Sequence, residues 1–217
     1  MTNLNQNGRS MIEMLGVLAI IGVLSVGGIA GYSKAMMKFK TNKTIDQIAM
    51  TVTNIRTLYA QQPYYDGLET GNAYQMGVTD DAMGTGSTLT NPFGGNVYIG
   101  TAHSKAAGEG NGDTDKRAFL VTFAGLPREA CVAIATNDWG SGYSSGLLGL
   151  ATGVNATAAT DVSCYVNPAD NTAAPTNGAC AIGNSAAALD VAKAATGCNC
   201  NNSTNSGNIC YVTFKYY

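Results

Sequence analysis

The chain has 217 residues, of which 45% are hydrophobic and only 12% are charged, and its formal net charge is −2. The charge is unevenly distributed: the chain carries a net +4 up to Lys43, and the remainder carries −6. Because nonspecific binding to nucleic acid needs clustered lysine and arginine, this acidic C-terminal part argues against a DNA- or RNA-binding protein. Beyond an N-terminal helix, the length is enough for one soluble domain with its own core.

An apolar run over residues 14–31 dominates the N-terminus. It contains no charged side chain and a single polar one, Ser25. As a helix rising about 1.5 Å per residue it would nearly span the ~30 Å of bilayer hydrocarbon. The preceding residues 1–8 lack the basic start of an ordinary secretory signal, and the run lacks a small-residue exit site. The pattern predicts a membrane helix preceded by a short polar leader.

This N-terminus resembles the leader and helix of type IV pilins and pseudopilins. In that family a prepilin peptidase cuts after a glycine, and a glutamate lies five residues beyond; the matching residues here are Gly8 and Glu13. The resemblance implies that the mature chain begins at Arg9. Family members usually begin with Phe or Met, often N-methylated, so Arg9 departs from the pattern at the position that would be methylated.

Glu13 has two interpretations. A carboxylate near a helix end can lie among the lipid headgroups without any further role. Deeper in the membrane an ionised carboxylate costs about 3 kcal/mol, so a partner is expected there. The pilin resemblance supplies that partner as the α-amine of Arg9 on a neighbouring subunit, which would make Glu13 an assembly residue.

Four glycines within the apolar run form a second candidate site for assembly. Gly27 and Gly31 have the spacing that lets membrane helices approach closely, although membrane helices are rich in glycine in general. The helix of assembled pili partly melts in this region, and glycines would be the weak points of a run without proline. The residues concerned are Gly22, Gly27, Gly28 and Gly31.

The helical pattern continues beyond the apolar run. Apolar residues recur at three- and four-residue spacing over residues 45–59, and Pro63 is the first strong terminator. We therefore predict one helix ending near Gln61, whose second half lays its apolar stripe on the head. The expected division is a leader (1–8), an N-terminal helix (9–62, with 9–31 in the membrane or filament core and 32–62 amphipathic) and a globular head (63–217).

The head is predicted to combine a sheet with short helices. Residues 64–86 lack periodicity and indicate a surface connection. Residues 96–101 and 118–124 alternate as adjacent antiparallel strands, and a short helix follows Pro127 to about Thr136. Weaker patterns predict strands at 146–151 and 162–166, a helix from Ser185 through Thr196, and a final strand at 208–217.

Six cysteines lie in the C-terminal half. Cysteines in this distribution are typical of disulfides formed in an oxidising compartment, although six of them allow 15 pairings. Zinc ligation by the last three cysteines and His103 is the weaker alternative, because C-x-C is not the usual ligand spacing. The cysteines are Cys131, Cys164, Cys180, Cys198, Cys200 and Cys210.

The order of elements in the head resembles the type IVb pilins, where a cysteine on the second helix is bridged to one shortly before the last strand. The resemblance implies a bond from Cys131 to Cys198 or Cys200. Cys164 and Cys180 would then close a local loop, which leaves Cys210 for the remaining thiol.

Sequence motifs for metal binding and for catalysis are weak. Asn111, Asp113 and Asp115 alternate like the start of a calcium loop, but Lys116 stands where that loop needs glycine, which favours a solvated turn. With one histidine and no nucleophile motif, the sequence argues against an enzyme. We expect no metal and no cofactor.

The resemblance implies an α+β protein with the type IV pilin fold: a long N-terminal helix packed on an antiparallel sheet, with a disulfide-bonded C-terminal region. Its expected function is that of a pilus subunit, staged in the inner membrane and polymerised with other copies into an extracellular filament. Prepilin peptidase and the assembly platform would be its partners. Lysines after the apolar run favour a cytoplasmic location for that end, whereas the cysteines favour the outer side.

Two alternatives remain open on the sequence. A minor pilin or a secretion pseudopilin would share residues 8–31, and copy number would separate it from a major pilin. A signal-anchored envelope protein with a ligand-binding head would need neither cleavage after Gly8 nor assembly.

Overall fold

The computed structural model describes residues 11–105, 115–140, 145–167, 169, 175–181, 189–200 and 209–217. The chain divides into two compact units, Met1–Phe39 and Lys40–Tyr217. The fold class expected from the sequence is confirmed, because a long N-terminal helix is followed by a six-stranded antiparallel sheet with disulfides in the C-terminal region.

Helix α1 runs from Met11 to Leu58 without interruption. It ends earlier than the predicted Gln61. The backbone tightens after Leu58, because the N–H of Ala60 and the N–H of Gln62 bond to carbonyls three residues back rather than four. Pro63 then cannot donate a backbone hydrogen bond, so the helix does not resume.

Residues 40–58 of α1 pack against the head along one face. The predicted apolar stripe is buried at Ile48, Val52 and Ile55, while Ile45 is only half-buried. The same face also buries four polar side chains that hydropathy did not single out. Two of them show how such groups are accommodated, since the Thr44 hydroxyl donates to the carbonyl of Lys40 and that of Thr51 contacts the Met83 sulfur. The four are Thr41, Thr44, Gln47 and Thr51.

The prediction of a surface connection over residues 64–86 is wrong in part. The segment forms helix α2 (Thr70–Ala73) and a 3₁₀ helix (Asp81–Met83). These turns are too short to show periodicity in the sequence, yet they direct apolar side chains into the core. The buried side chains are Leu68, Ala73, Val78 and Met83.

The sheet has the strand order β1-β2-β3-β6-β4-β5, and every pairing is antiparallel. The predicted pairing of residues 96–101 with 118–124 is confirmed, as are the strand near 146–151 and the final strand. The final strand lies in the middle of the sheet, between β3 and β4. The strands are β1 Leu89–Thr90, β2 Asn96–Ala102, β3 Ala118–Leu126, β4 Leu147–Val154, β5 Gly178–Cys180 and β6 Cys210–Tyr216.

Asn91 organises the turn that leads into β2. Its side-chain oxygen accepts from the N–H groups of Phe93 and Gly95, and its amide donates to the carbonyl of Ala124 at 2.7 Å. A β-carbon at Gly95 would collide with that same carbonyl of Ala124, so only glycine fits. The turn is thereby fixed against the neighbouring strand β3.

Aromatic rings connect the end of α1 to the sheet. The ring of Tyr59 lies 5.1 Å from that of Tyr65, which lies 4.9 Å from Phe119. Phe119 stacks in turn on Tyr216 of β6, with ring centroids 5.6 Å apart. Such ring pairs stabilise a core by about 0.5–1.5 kcal/mol beyond the area they bury. The final strand is therefore held to both β3 and the helix end.

The predicted strand over residues 162–166 is wrong. This segment packs against the sheet without joining it: the N–H of Thr160, just before the segment, donates to the Thr122 hydroxyl, and the N–H of Val166 donates to the carbonyl of Ser104. Val162 and Cys164 are buried in a small apolar cluster with Leu120. The alternating pattern reflects burial of one side of the segment and gives no information on ladder pairing.

Two short helices complete the described head. Helix α3 (Arg128–Ala135) confirms the prediction of a helix after Pro127 and carries Cys131. Helix α4 (Val191–Gly197) begins later than predicted, because Asp190 caps it by accepting from the N–H of Lys193. The predicted cap, Ser185, lies outside the described residues.

Candidate assembly site

The first part of α1 exposes almost all of its apolar side chains. A window of 18 residues in this helix reaches a mean hydropathy of 2.2, and none of it is buried within the chain. Leu18, Val23 and Ile29, for example, are 63%, 76% and 68% exposed. Soluble surfaces rarely present an apolar area of this extent, so the helix requires lipid or protein around it.

Glu13 lies in the first turn of α1, where its side chain is exposed. A carboxylate there is favoured by the partial positive charge of the helix N-terminus. Gly8 and Arg9, the residues of the predicted cleavage site, lie outside the described residues. The contact between Glu13 and Arg9 expected from the resemblance is a contact between subunits, which a single chain does not display.

Within the described part of the chain, the glycines of α1 make no packing contact. A β-carbon built at Gly22, Gly27, Gly28 or Gly31 would meet no atom within 4 Å. Each glycine costs a helix about 0.8–1 kcal/mol relative to alanine. Four such residues in one apolar stretch therefore weaken the helix without any benefit to the fold of the isolated chain.

Three disulfides hold the C-terminal region together. Cys131 of α3 pairs with Cys198 at the end of α4, across 67 residues. Cys164 pairs with Cys180, and Cys200 with Cys210. Of the two partners that the resemblance allowed for Cys131, the structure has Cys198. The same bridges bear on the zinc alternative: the sulfurs of Cys131, Cys198 and Cys210 lie within 4.8 Å of one another, but a disulfide sulfur is not the thiolate that zinc needs.

Asp115, the described member of the acidic alternation, is buried and hydrogen-bonded. It accepts from the backbone N–H and the hydroxyl of Ser104, and His103 Nδ1 lies 3.7 Å from its carboxylate. Asn111 and Asp113 lie outside the described residues. The adjacent Lys116 has a φ of 31° and pairs with Asp66 at 2.9 Å. In the described part of this segment the groups are therefore engaged in local structure.

Lys215 is a charged residue that the sequence analysis missed. It is fully buried on β6, where its Nζ donates to the carbonyl of Val162 at 2.9 Å and lies 3.0 Å from a carboxylate oxygen of Asp161. Burial lowers the pKa of Lys215, and the neighbouring carboxylate acts in the opposite direction. The sequence pattern that could have identified Lys215 is a single lysine within an otherwise largely apolar final strand.

A cleft of about 540 Å³ lies where the end of α1 meets the start of β3 and the end of β6. The arginines Arg56 and Arg117 line it together with three tyrosines, Tyr59, Tyr65 and Tyr217. The sequence analysis missed this site, because its residues come from segments far apart in the chain.

Comparison with known proteins places these features in a family. The model of the Bundlin family matches residues 34–184, which is more than half of the chain. The chain is 28% identical over 205 residues to the "major structural subunit of bundle-forming pilus" of Escherichia coli O111:H-. The identity is the same with the protein of that name from E. coli O127:H6, and both alignments cover 92% of this chain and 91% of the relative.

A solved structure has a similar fold. The crystal structure of TcpA, a type IV pilin from Vibrio cholerae El Tor biotype, matches 82% of this chain and 99% of its own length. The TM-score is 0.52 at 17% sequence identity. The arrangement of a long N-terminal helix and an antiparallel sheet is thus similar to that of a type IV pilin.

Proposed function

This chain belongs to the bundlin family, and from that premise we propose that it is the major structural subunit of a type IV pilus. The observation that carries the proposal is the exposed apolar first part of α1, which the chain itself does not cover. The relatives that match over nine-tenths of the chain are named as major subunits of a pilus. Polymerisation with further copies supplies the missing cover.

Before assembly, the same helix would be held in the inner membrane. Its apolar side chains are surrounded by apolar groups both in the bilayer and in a bundle of helices. Transfer from one to the other therefore exposes little apolar surface to water. We infer that residues 1–8 are a leader removed by prepilin peptidase. The helix over residues 9–62 would then serve assembly, and the head over residues 63–217 would be carried outward by the assembly platform.

Glu13 would select the position of each new subunit. Once the leader is removed, the α-amine of Arg9 is free, and a carboxylate in apolar surroundings needs a cation beside it. Pairing of Glu13 on one copy with Arg9 on the next satisfies both charges within the filament core. A copy without this pair would leave a charge in the bundle.

The glycines fit the same function. Because their β-carbons are not excluded by any contact within the chain, small size at these positions serves contacts made outside it. Gly27 and Gly31 lie on one face of α1 and would allow a neighbouring helix to approach closely. Gly22 and Gly28 would supply local flexibility in an apolar helix that has no proline.

The disulfides fit an extracellular location of the head. All six cysteines lie beyond residue 130, and the described pairs leave no free thiol among them. Disulfides form and persist in oxidising compartments outside the cytoplasm, and they stabilise the folded chain mainly by constraining the unfolded one. A surface filament is one such location.

Replacement of Gly8 tests the proposal against its alternatives. Gly8→Ala should block removal of the leader, leave the chain in the membrane fraction and eliminate it from filaments sheared off the cells. Gly71→Ala is the matched control, because Gly71 lies in α2 of the head, outside the assembly helix, and a β-carbon there meets no atom within 4 Å. Unchanged processing and location of the Gly8→Ala chain would contradict the proposal and support an anchored ligand-binding protein. A low copy number in the sheared filaments would instead indicate a minor pilin or a pseudopilin.

A further inference from the structure

The charged side chains that line the cleft, Arg56 and Arg117, are basic, whereas the head around the cleft is acidic. The chain beyond Lys43 carries a net −6, yet no Asp or Glu side chain is found among the described residues that line the cleft. Arg56 lies beside the main-chain oxygen of Tyr217, since both groups come within 3.1 Å of the position that a Gly146 β-carbon would take. The guanidinium of Arg117 is therefore the group that favours an anion in the cleft. The acidic surroundings disfavour a polyanion such as nucleic acid, because repulsion grows with every additional charge of the ligand.

Arg56 is held in position by the backbone opposite it. Its Nη1 donates to the carbonyl of Ser145 at 2.8 Å, which uses one of the five N–H groups of a guanidinium. A β-carbon at Gly146 would lie only 2.9 Å from Nη2, and the φ of Gly146 is +71°. Gly146 thus makes room for the guanidinium at a backbone conformation that favours glycine.

Arg117 is held on the other side by an aromatic ring. Its guanidinium carbon lies 5.3 Å from the ring centroid of Tyr64, a distance typical of a cation–π contact. The side chain remains exposed beside the cleft. An arginine that is oriented in advance loses less conformational entropy when it binds a carboxylate, and its planar fork can bind both oxygens.

Tyrosine rings provide the rest of the lining. Tyr65 is half-buried, Tyr217 is 47% exposed, and the Tyr59 hydroxyl is already engaged with the carbonyl of Asp66 at 2.9 Å. Rings in such positions offer flat apolar faces for C–H groups of a ligand. Gln62, which is exposed at the rim, offers both a donor and an acceptor to ligand hydroxyls.

We propose that this cleft binds a monosaccharide that carries a carboxylate, such as a uronic acid. A guanidinium group would bind the carboxylate, and the tyrosine rings would pack against the sugar ring. The single negative charge suits a cleft within an acidic head, and the ring suits a site too small for an extended chain. The site lies in the head and does not depend on polymerisation.

Binding can be measured on the full chain in a polyoxyethylene detergent, which has no sugar headgroup. Saturation-transfer NMR and calorimetry with glucuronate should give saturable binding, at least tenfold tighter than binding of the neutral sugar glucose. Arg117→Gln should weaken glucuronate at least tenfold without changing the melting temperature. Arg128→Gln is the matched control, since Arg128 is exposed on α3 and does not line the cleft.

Three results would overturn the proposal: glucuronate fails to saturate, glucose binds equally well, or Arg117→Gln retains full affinity. An equal loss in Arg128→Gln would also overturn it, because the effect would then come from net charge. Since the measurement uses dispersed chains, its failure would leave the filament proposal unaffected.

Discussion

Single residues in this protein show how burial decides the effect of a charge. Lys215 is fully buried, whereas its partner Asp161 is about half exposed. The carboxylate can therefore be hydrated without the lysine, but the lysine cannot be hydrated without unfolding. This asymmetry predicts different effects for the two sides of one ion pair.

Asp161→Asn should lower the free energy of unfolding by about 1–2 kcal/mol, because it removes the carboxylate that lies 3.0 Å from the buried ammonium and leaves only the more distant Asp115. Lys215→Met should cost less, since it removes the buried charge altogether and the carbonyl of Val162 still accepts from the N–H of Cys164. Urea unfolding at neutral pH measures both variants. A larger loss in Lys215→Met than in Asp161→Asn would contradict this account of the pair.

Tyr216 predicts a loss of stability at alkaline pH. Burial raises its pKa from 10.0 to about 12, and the nearby Arg56 acts in the opposite direction. Between these two values the unfolded chain has released the proton while the folded chain retains it. The contribution of Tyr216 is thus fully present below pH 10 and lost as the pH rises toward 12. The loss amounts to about 2–3 kcal/mol.

Tyr216→Phe should remove this contribution. Urea unfolding at pH 9 and at pH 11.5 should show a smaller decrease for the variant than for the parent chain. The difference between the two proteins isolates Tyr216, because Lys215 and the other tyrosines are common to both. Equal decreases would mean that Tyr216 ionises in the folded protein as readily as in the unfolded one.

Among the secondary-structure elements, α1 offers glycines whose substitution should affect assembly without affecting the stability of the fold. Gly27→Leu and Gly31→Leu add bulk where the chain has open space, so the melting temperature of the chain in detergent should not fall. Both variants should reduce the yield of sheared filaments at least tenfold, since a close helix contact is blocked.

Ser25→Leu is the control for this comparison, because Ser25 lies on the opposite side of the helix. Its hydroxyl donates only to the carbonyl of Ile21 in the preceding turn, a bond that the helix can lose without being disrupted. A normal filament yield in Gly27→Leu and Gly31→Leu would contradict a packing role for these glycines.

The disulfides predict a graded loss of stability. Replacement of Cys131 and Cys198 by serine opens a link across 67 residues and should cost about 4 kcal/mol. The same replacement at Cys200 and Cys210 opens a link across 10 residues and should cost nearer 3 kcal/mol. Denaturant unfolding of the two double variants gives the order, and the reverse order would show that loop length does not govern their effect.

The elements differ in how well the sequence predicts them. Helix α1, strands β2 and β3 and helix α3 were predictable because each is long enough to repeat its pattern or begins at a proline. Strand β5 was not predictable, because its three residues are too few to repeat a pattern. The segment 162–166 was predicted as a strand because its alternation reflects burial of one side, although it joins no strand of the sheet. The arginine cleft was missed because its residues come from segments far apart in the chain, whereas the glycines of α1 were visible as a local pattern.

In the whole molecule, the head buries its apolar surface within the chain, whereas the first part of α1 leaves its apolar surface exposed. The α1 face over residues 40–58 packs in the core of the unit Lys40–Tyr217, which also contains the sheet and the disulfides. The most apolar 18-residue window of α1 has none of its surface buried against the part of the chain that the structure describes. Under the proposed function, this surface is covered first by a bilayer and then by a bundle of further copies of the chain.

Intact mass spectrometry of filaments sheared from cells, with and without reduction, distinguishes an assembled subunit from an anchored protein. The proposed function predicts an abundant chain that starts at Arg9 and gains the mass of six hydrogen atoms on reduction, two for each disulfide. A chain that starts at Met1, is absent from the sheared fraction and remains in the membrane would contradict it.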